Sequence, residues 1–178
     1  LLRLLQHEAY RKVVLLLEEP LDFEHPKLEV HRVTFERLPA FQQYMQVQDV
    51  YYTWTHQMQI RDDFGKYQPS KTYAYQLARL AQEAGARQFL LQSSIAADQD
   101  NVLYYRQERK MLEDAIGKLD YWGTHIFRPG PLLEDKPKNR WNRLFKSVTR
   151  QLNDWADGGL TKYTPIAAQD VARAMVEK

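Results

Sequence analysis

The chain has 178 residues, 44% of them hydrophobic and 27% charged, with a net charge of +2 and no cysteine. That is enough chain for one domain with a sizeable core. The charge is too small to point to nucleic acid or an anionic membrane, and the lack of cysteine excludes disulfides, thiol nucleophiles and cysteine metal sites.

The sequence opens LLRLLQHEAY, with Leu1, Leu2, Leu4 and Leu5 on one helical face and no capping residue before them. A helix rarely starts on its buried face, so the expectation is that the sequence begins inside a longer protein. Residues 12–17, KVVLLL, form an apolar run closed by Glu18, Glu19 and Pro20, a buried strand and its exit. Residues 27–35 alternate as a second strand, 39–46 form a short helix, and 49–53 form a third strand. Ser70 is placed to cap a helix that runs to Ala84, with Tyr73, Leu77, Leu80 and Ala81 on one face and Gly85 just past its end. A fourth strand follows at 87–92, a helix at 102–118, and a fifth strand at 122–127 that is broken by Arg128, Pro129 and Gly130. Residues 139–155 carry Trp141, Leu144, Phe145, Val148, Leu152 and Trp155 at helical spacing, and a last helix starts near Ala168.

Short apolar strands alternating with helices predict a doubly wound α/β domain, a parallel sheet covered on both faces, spanning residues 1–178 as one unit. Ligands of such sheets bind beyond the carboxyl ends of the strands. The positions that matter are then Glu18 and Glu19, residues 54–56, Ser93 and Ser94, and residues 128–130. No run approaches the ~20 apolar residues of a membrane span, and no charged-then-apolar run opens the sequence, so the expected location is cytoplasmic.

Three stretches, GARQFLLQSSIAAD, LYYRQERKMLEDAIGKLDYWGTHIFRPGPLL and YTPIAAQDVARAMV, resemble the atypical short-chain dehydrogenase/reductase family. The similarity is to its Tat-interacting-protein-like and NmrA-like branch. It covers most of the chain and implies a Rossmann-like fold that binds NAD or NADP. In that family a strand and a glycine-rich turn hold the pyrophosphate. The first glycine here is Gly65, so the resemblance places both elements immediately before Leu1, either outside this sequence or lost from the protein, with the uncapped start favouring the first.

Further departures bear on chemistry. Where the family often carries basic residues after its second strand, this chain has Glu18 and Glu19, which repel a 2′-phosphate and can accept from a ribose hydroxyl. This tilts the cofactor toward NAD, against the plain alternative of a solvated acidic strand end. Where the family has a glycine near the cofactor, this chain reads Trp54, Thr55, His56. Side chains there hinder the close backbone approach that glycine permits.

The resemblance also assigns a catalytic set. Tyr105 falls at the family's general acid/base and Arg109 at its lysine, one helical turn later. Ser94, or in second place Ser93, hydrogen-bonds the substrate oxygen, and Pro129 belongs to the cleft wall. A phenol with a pKa of about 10 needs a nearby cation to act near neutral pH. Arginine keeps that charge but is planar, bulkier and never a proton carrier. The other register, Tyr104 with Glu108, sets a carboxylate beside the phenol and is worse. From spacing alone, ordinary helix residues explain the same pattern.

His7, His25, His31, His56 and His125 show no metal-ligand spacing. The basic, tryptophan-bearing stretch at 139–155 is better explained by an aromatic face packed on the domain or another subunit than by nucleic acid or membrane. Three functions follow. One is a dinucleotide-dependent oxidoreductase acting on an unidentified small carbonyl or alcohol. Another is a non-catalytic dinucleotide-sensing protein. The third is an interaction module, self-associating or binding a protein partner.

Overall fold

The computed structural model describes residues 1–53, 68–93, 102–130, 132–133 and 165–178, with only the main chain at 102–106 and 133. The fold is α/β and Rossmann-like, and every strand pair in it is parallel. After helix α1 (Leu2–Gln6), strand β1 (Val13–Leu17) pairs with β2 (Leu28–Arg32). A 3-10 segment (Phe35–Met45) leads to β3 (Asp49–Tyr52), and α2 (Tyr73–Glu83) leads to β4 (Gln88–Gln92). Helix α3 (Val102–Gly117) leads to β5 (Gly123–Phe127). A two-residue pair, β6 (Leu132–Leu133) with β7 (Ile166–Ala167), precedes α4 (Ala168–Val176).

Three local expectations are corrected. The helix at 39–46 is a longer 3-10 segment that breaks at Arg37, where φ is −120° and ψ 30°. Pro39 cannot donate an amide, and it biases Leu38 away from the α region, so the tighter and less regular coil forms instead. The cap of α2 is Thr72, not Ser70. Pro69–Lys71 forms a 3-10 turn, the Thr72 hydroxyl donates to the Pro69 carbonyl (2.7 Å), and its oxygen accepts from the Tyr75 amide (3.3 Å). The leucines of α1 are not one buried face: Leu5 is buried, while Leu1 and Leu2 are exposed. This one-turn helix touches α4 and buries one side chain. The last strand residues and the last helix lie where the periodicity put them, and Gly85 ends α2 at φ +98°, a left-handed position that favours glycine.

One sheet face carries the main core. Val50 and Tyr52 of β3 and Phe89 and Leu91 of β4 meet α2, Leu112 and Ile116 of α3, and Phe35, Leu38 and Met45 of the 3-10 segment. On the other face Leu90 meets Val171 and Met175 of α4, flanked by Tyr51, Phe127 and Ile166. Helices thus cover both faces of β3–β4–β5. The expected single sheet is divided among the described residues into β1–β2 and β3–β4–β5.

Candidate functional site

The exits of β4 and β5 are joined by the Ser93 amide, which donates to the Phe127 carbonyl (2.7 Å). Ser93 is buried, and its hydroxyl accepts from Arg109 Nη1 of α3 at 3.2 Å. Two residues that sequence spacing set sixteen apart therefore meet at the carboxyl edge of the sheet. Tyr105 stands on the main chain of α3 one turn before Arg109; its side chain lies outside the description. Ser94, Thr55 and His56 lie outside the described residues, as does the stretch 139–155.

One turn beyond Arg109, Glu113 receives a fork from Arg128 at the end of β5. Nε donates to Oε1 (3.1 Å) and Oε2 (3.0 Å), and Nη2 donates to Oε2. The Glu113 side chain is 7% exposed and that of Arg128 57%. The hydrogen-bonded carboxylate raises the Arg128 guanidinium above its ordinary range. This two-point contact fixes α3 against β5 just below Arg109 and Ser93. It was missed in the sequence. Glu113 falls four residues after Arg109, but nothing local reveals a partner fifteen residues on, across a helix–strand turn. Pro129 follows Arg128, half-buried, at the same exit.

At the exit of β1, Glu18 and Glu19 are exposed. The end of β2 brings Arg32 there, whose Nε donates to the Glu18 carbonyl (3.0 Å). The exit thus carries two carboxylates and one guanidinium, and the guanidinium was not anticipated. Glu108, of the competing tyrosine register, is buried on α3.

The histidines within the description have local roles. His31 stacks on Tyr44 with ring centroids 3.5 Å apart, and the His125 ring shares a hydrogen bond with Gln88 Oε1 (3.2 Å). Among the described residues no group of three His, Cys, Asp or Glu could hold a metal ion, and no helix is long and apolar enough to cross a membrane.

No protein-family model matches the chain. Curated relatives do. The chain is 32% identical over 104 residues to the protein FMP52, mitochondrial, of Debaryomyces hansenii, covering 57% of this chain and 45% of that one. It is 33% identical over 107 residues to the protein of the same name from Candida albicans, covering 58% and 45%. It is 28% identical over 166 residues to the protein HTATIP2 of Rattus norvegicus, covering 87% and 66%. The chain spans about half the length of the FMP52 proteins it matches. The expected cytoplasmic location is corrected by these names, since FMP52 is a mitochondrial protein in both yeasts.

Proposed function

We propose that the chain is a nicotinamide-dinucleotide-binding domain of the atypical short-chain dehydrogenase/reductase type, one unit over residues 1–178, working in the mitochondrion. The family supplies the activity: reduction of a small carbonyl or oxidation of an alcohol. The relatedness to FMP52 and HTATIP2 supports the ancestry. The observation that carries the reading is the contact between Arg109 and Ser93, which ties a cation on α3 to the exit of β4, where a parallel sheet binds its ligand.

The polar groups at the β1, β4 and β5 exits suit a dinucleotide, with carboxylates for ribose hydroxyls at one end and cations at the other. A bound dinucleotide supplies hydride chemistry. In the proposed assignment Ser94 hydrogen-bonds the substrate oxygen, and Tyr105 exchanges a proton with it. Arg109 stabilises the phenolate, and Ser93 orients Arg109. Glu18 and Glu19 favour NAD, and Arg32 is the group that NADP's 2′-phosphate would need.

Calorimetric titration of NADH and NADPH into the protein made from its complete reading frame tests the binding. Saturable NADH binding, weaker for NADPH, is expected, and no binding of either to folded protein sinks the proposal. Tyr105→Phe abolishing turnover of a carbonyl would establish the enzyme. Dinucleotide binding without any turnover would favour the sensing protein.

A further inference from the structure

A guanidinium carries five N–H donors in one plane. In Arg128 the side-on edge, made by Nε and Nη2, is taken by Glu113. The end-on edge, made by Nη1 and the second hydrogen of Nη2, meets no acceptor among the described residues, and the Arg128 side chain is 57% exposed. Among those residues Arg128 forms an ion pair with Glu113 alone. An exposed arginine is ordinarily a loose side chain. This one is held in orientation by a carboxylate that is itself buried, while its opposite edge stands in water. The two donors of that edge form a fixed fork, the shape that grips a carboxylate or a phosphate at two points.

The fork stands beside the candidate site. The register pairs Gln92 with Phe127, and the Ser93 amide continues the ladder to the Phe127 carbonyl. Ser93 and Arg128 therefore leave the sheet side by side, on neighbouring strands about 5 Å apart. Both side chains turn to α3, Ser93 to Arg109 and Arg128 to Glu113. Arg109 and Glu113 are four residues apart, about 6 Å along the helix. The two contacts are thus neighbours at the carboxyl ends of β4 and β5, where a parallel sheet takes its ligand.

We infer that the end-on edge of Arg128 binds a carboxylate of the substrate. The reacting molecule is then a small oxo acid, or the matching hydroxy acid, with its carbonyl toward the Ser93–Arg109 contact. That the bound molecule is a substrate rests on the oxidoreductase reading above, whereas the carboxylate site rests on the fork alone. The spacing of the two contacts, on the order of 5–6 Å, selects among such acids. A 2-oxo acid sets its carbonyl oxygen directly beside its carboxylate and is too short to reach both. An acid with two methylene groups between carboxylate and carbonyl spans them. A neutral ester offers the fork no charge, so the charged acid is the form that it prefers.

Titration of 4-oxopentanoate and of its methyl ester into isotope-labelled protein made from its complete reading frame, followed by NMR, tests this. The acid is expected to bind about 10-fold or more tightly than the ester, and to move the Arg128 Nε–H resonance. Arg128→Lys keeps a cation beside Glu113 but removes the fork, and is expected to weaken the acid about 10-fold while leaving the ester unchanged. Equal binding of acid and ester, binding of neither, or binding of the acid with the Arg128 resonance unmoved overturns the inference. All three are read on the wild type, whether or not the variant folds. Inorganic phosphate that binds as tightly as the acid gives the fork to phosphate, and displacement of the acid by NADH gives it to the cofactor. Either result overturns the assignment to a substrate carboxylate. NADH titration of the same sample separates the two proposals. Acid binding without NADH binding keeps the fork and sinks the cofactor, whereas NADH binding without acid binding does the reverse.

Discussion

Strands β1 and β4 are near equals in sequence and unequal in the fold. VVLLL is, if anything, more apolar than QFLLQ, yet Phe89, Leu90 and Leu91 of β4 are 0–2% exposed while Val14 to Leu17 of β1 are half-buried. The difference is neighbours. Strand β4 has β3 and β5 on its edges and helices on both faces, whereas β1 has β2 on one edge. An apolar run thus reports what a strand is made to be buried in, not what surrounds it.

The sharpest way to break that comparison is truncation on each strand within the chain Leu1–Lys178. Phe89→Ala, in a packed site, is expected to lower unfolding free energy by about 3–5 kcal/mol. Leu15→Ala removes a side chain that is only half out of water, and is expected to cost about 1 kcal/mol. Urea unfolding of both variants checks the ratio. Equal costs would mean that β1 is as fully enclosed as β4.

The second contrast is within one ion pair. Glu113 is the buried partner and Arg128 the exposed one. Removing Arg128 leaves a carboxylate stranded in the core, while removing the charge of Glu113 leaves a guanidinium that water can reach. Arg128→Met is therefore expected to cost about 3 kcal/mol. Glu113→Gln should cost about 1.5 kcal/mol, near the lower end for a charged hydrogen bond because its partner is hydrated. Thermal unfolding of the two variants measures the asymmetry. The reverse order would show that the pair does not hold α3 to β5 in the way its geometry implies.

Much of the fold was legible in the sequence because it is written locally. The strand at 12–17, the helix at 102–118 and the glycine that ends α2 each follow from periodicity or from the demands of one residue. What was not legible depends on distant partners. Ser70 and Thr72 are both capping types, and only the 3-10 turn at Pro69–Lys71 decides for Thr72. The helix expected at 39–46 ignored what Pro39 does to its own first turn. At the candidate site, Arg109 was named for its spacing from Tyr105, but its contact with Ser93 depends on how α3 lies over β4. Arg32 was passed over because its nearness to Glu18 comes from the pairing of β1 with β2. The split between β1 and β3 had no local signal at all.

The smallest expected effect concerns a link between the two halves. Tyr73 of α2 donates its hydroxyl to Glu36 Oε1 (2.8 Å) of the 3-10 segment that follows β2. Burial first, and the neighbouring carboxylate second, push the Tyr73 phenol up to about 12 from its ordinary 10.0. In the unfolded chain the phenol loses its proton near the ordinary value, and in the folded chain only near the raised one. Its contribution is therefore complete below pH 10.0 and is lost as pH rises toward about 12. Tyr10, Tyr51 and Tyr121 are raised in the same direction, each by burial first, so they share in the alkaline loss. Tyr73→Phe is expected to cost about 1 kcal/mol at neutral pH, the net worth of one hydrogen bond. It should also make the fall in melting temperature across the alkaline window shallower without abolishing it. An unchanged alkaline slope in Tyr73→Phe would mean that this phenol ionises as freely in the folded chain as in the unfolded one. The hydrogen bond to Glu36 would then not be what fastens the β1–β2 half to α2.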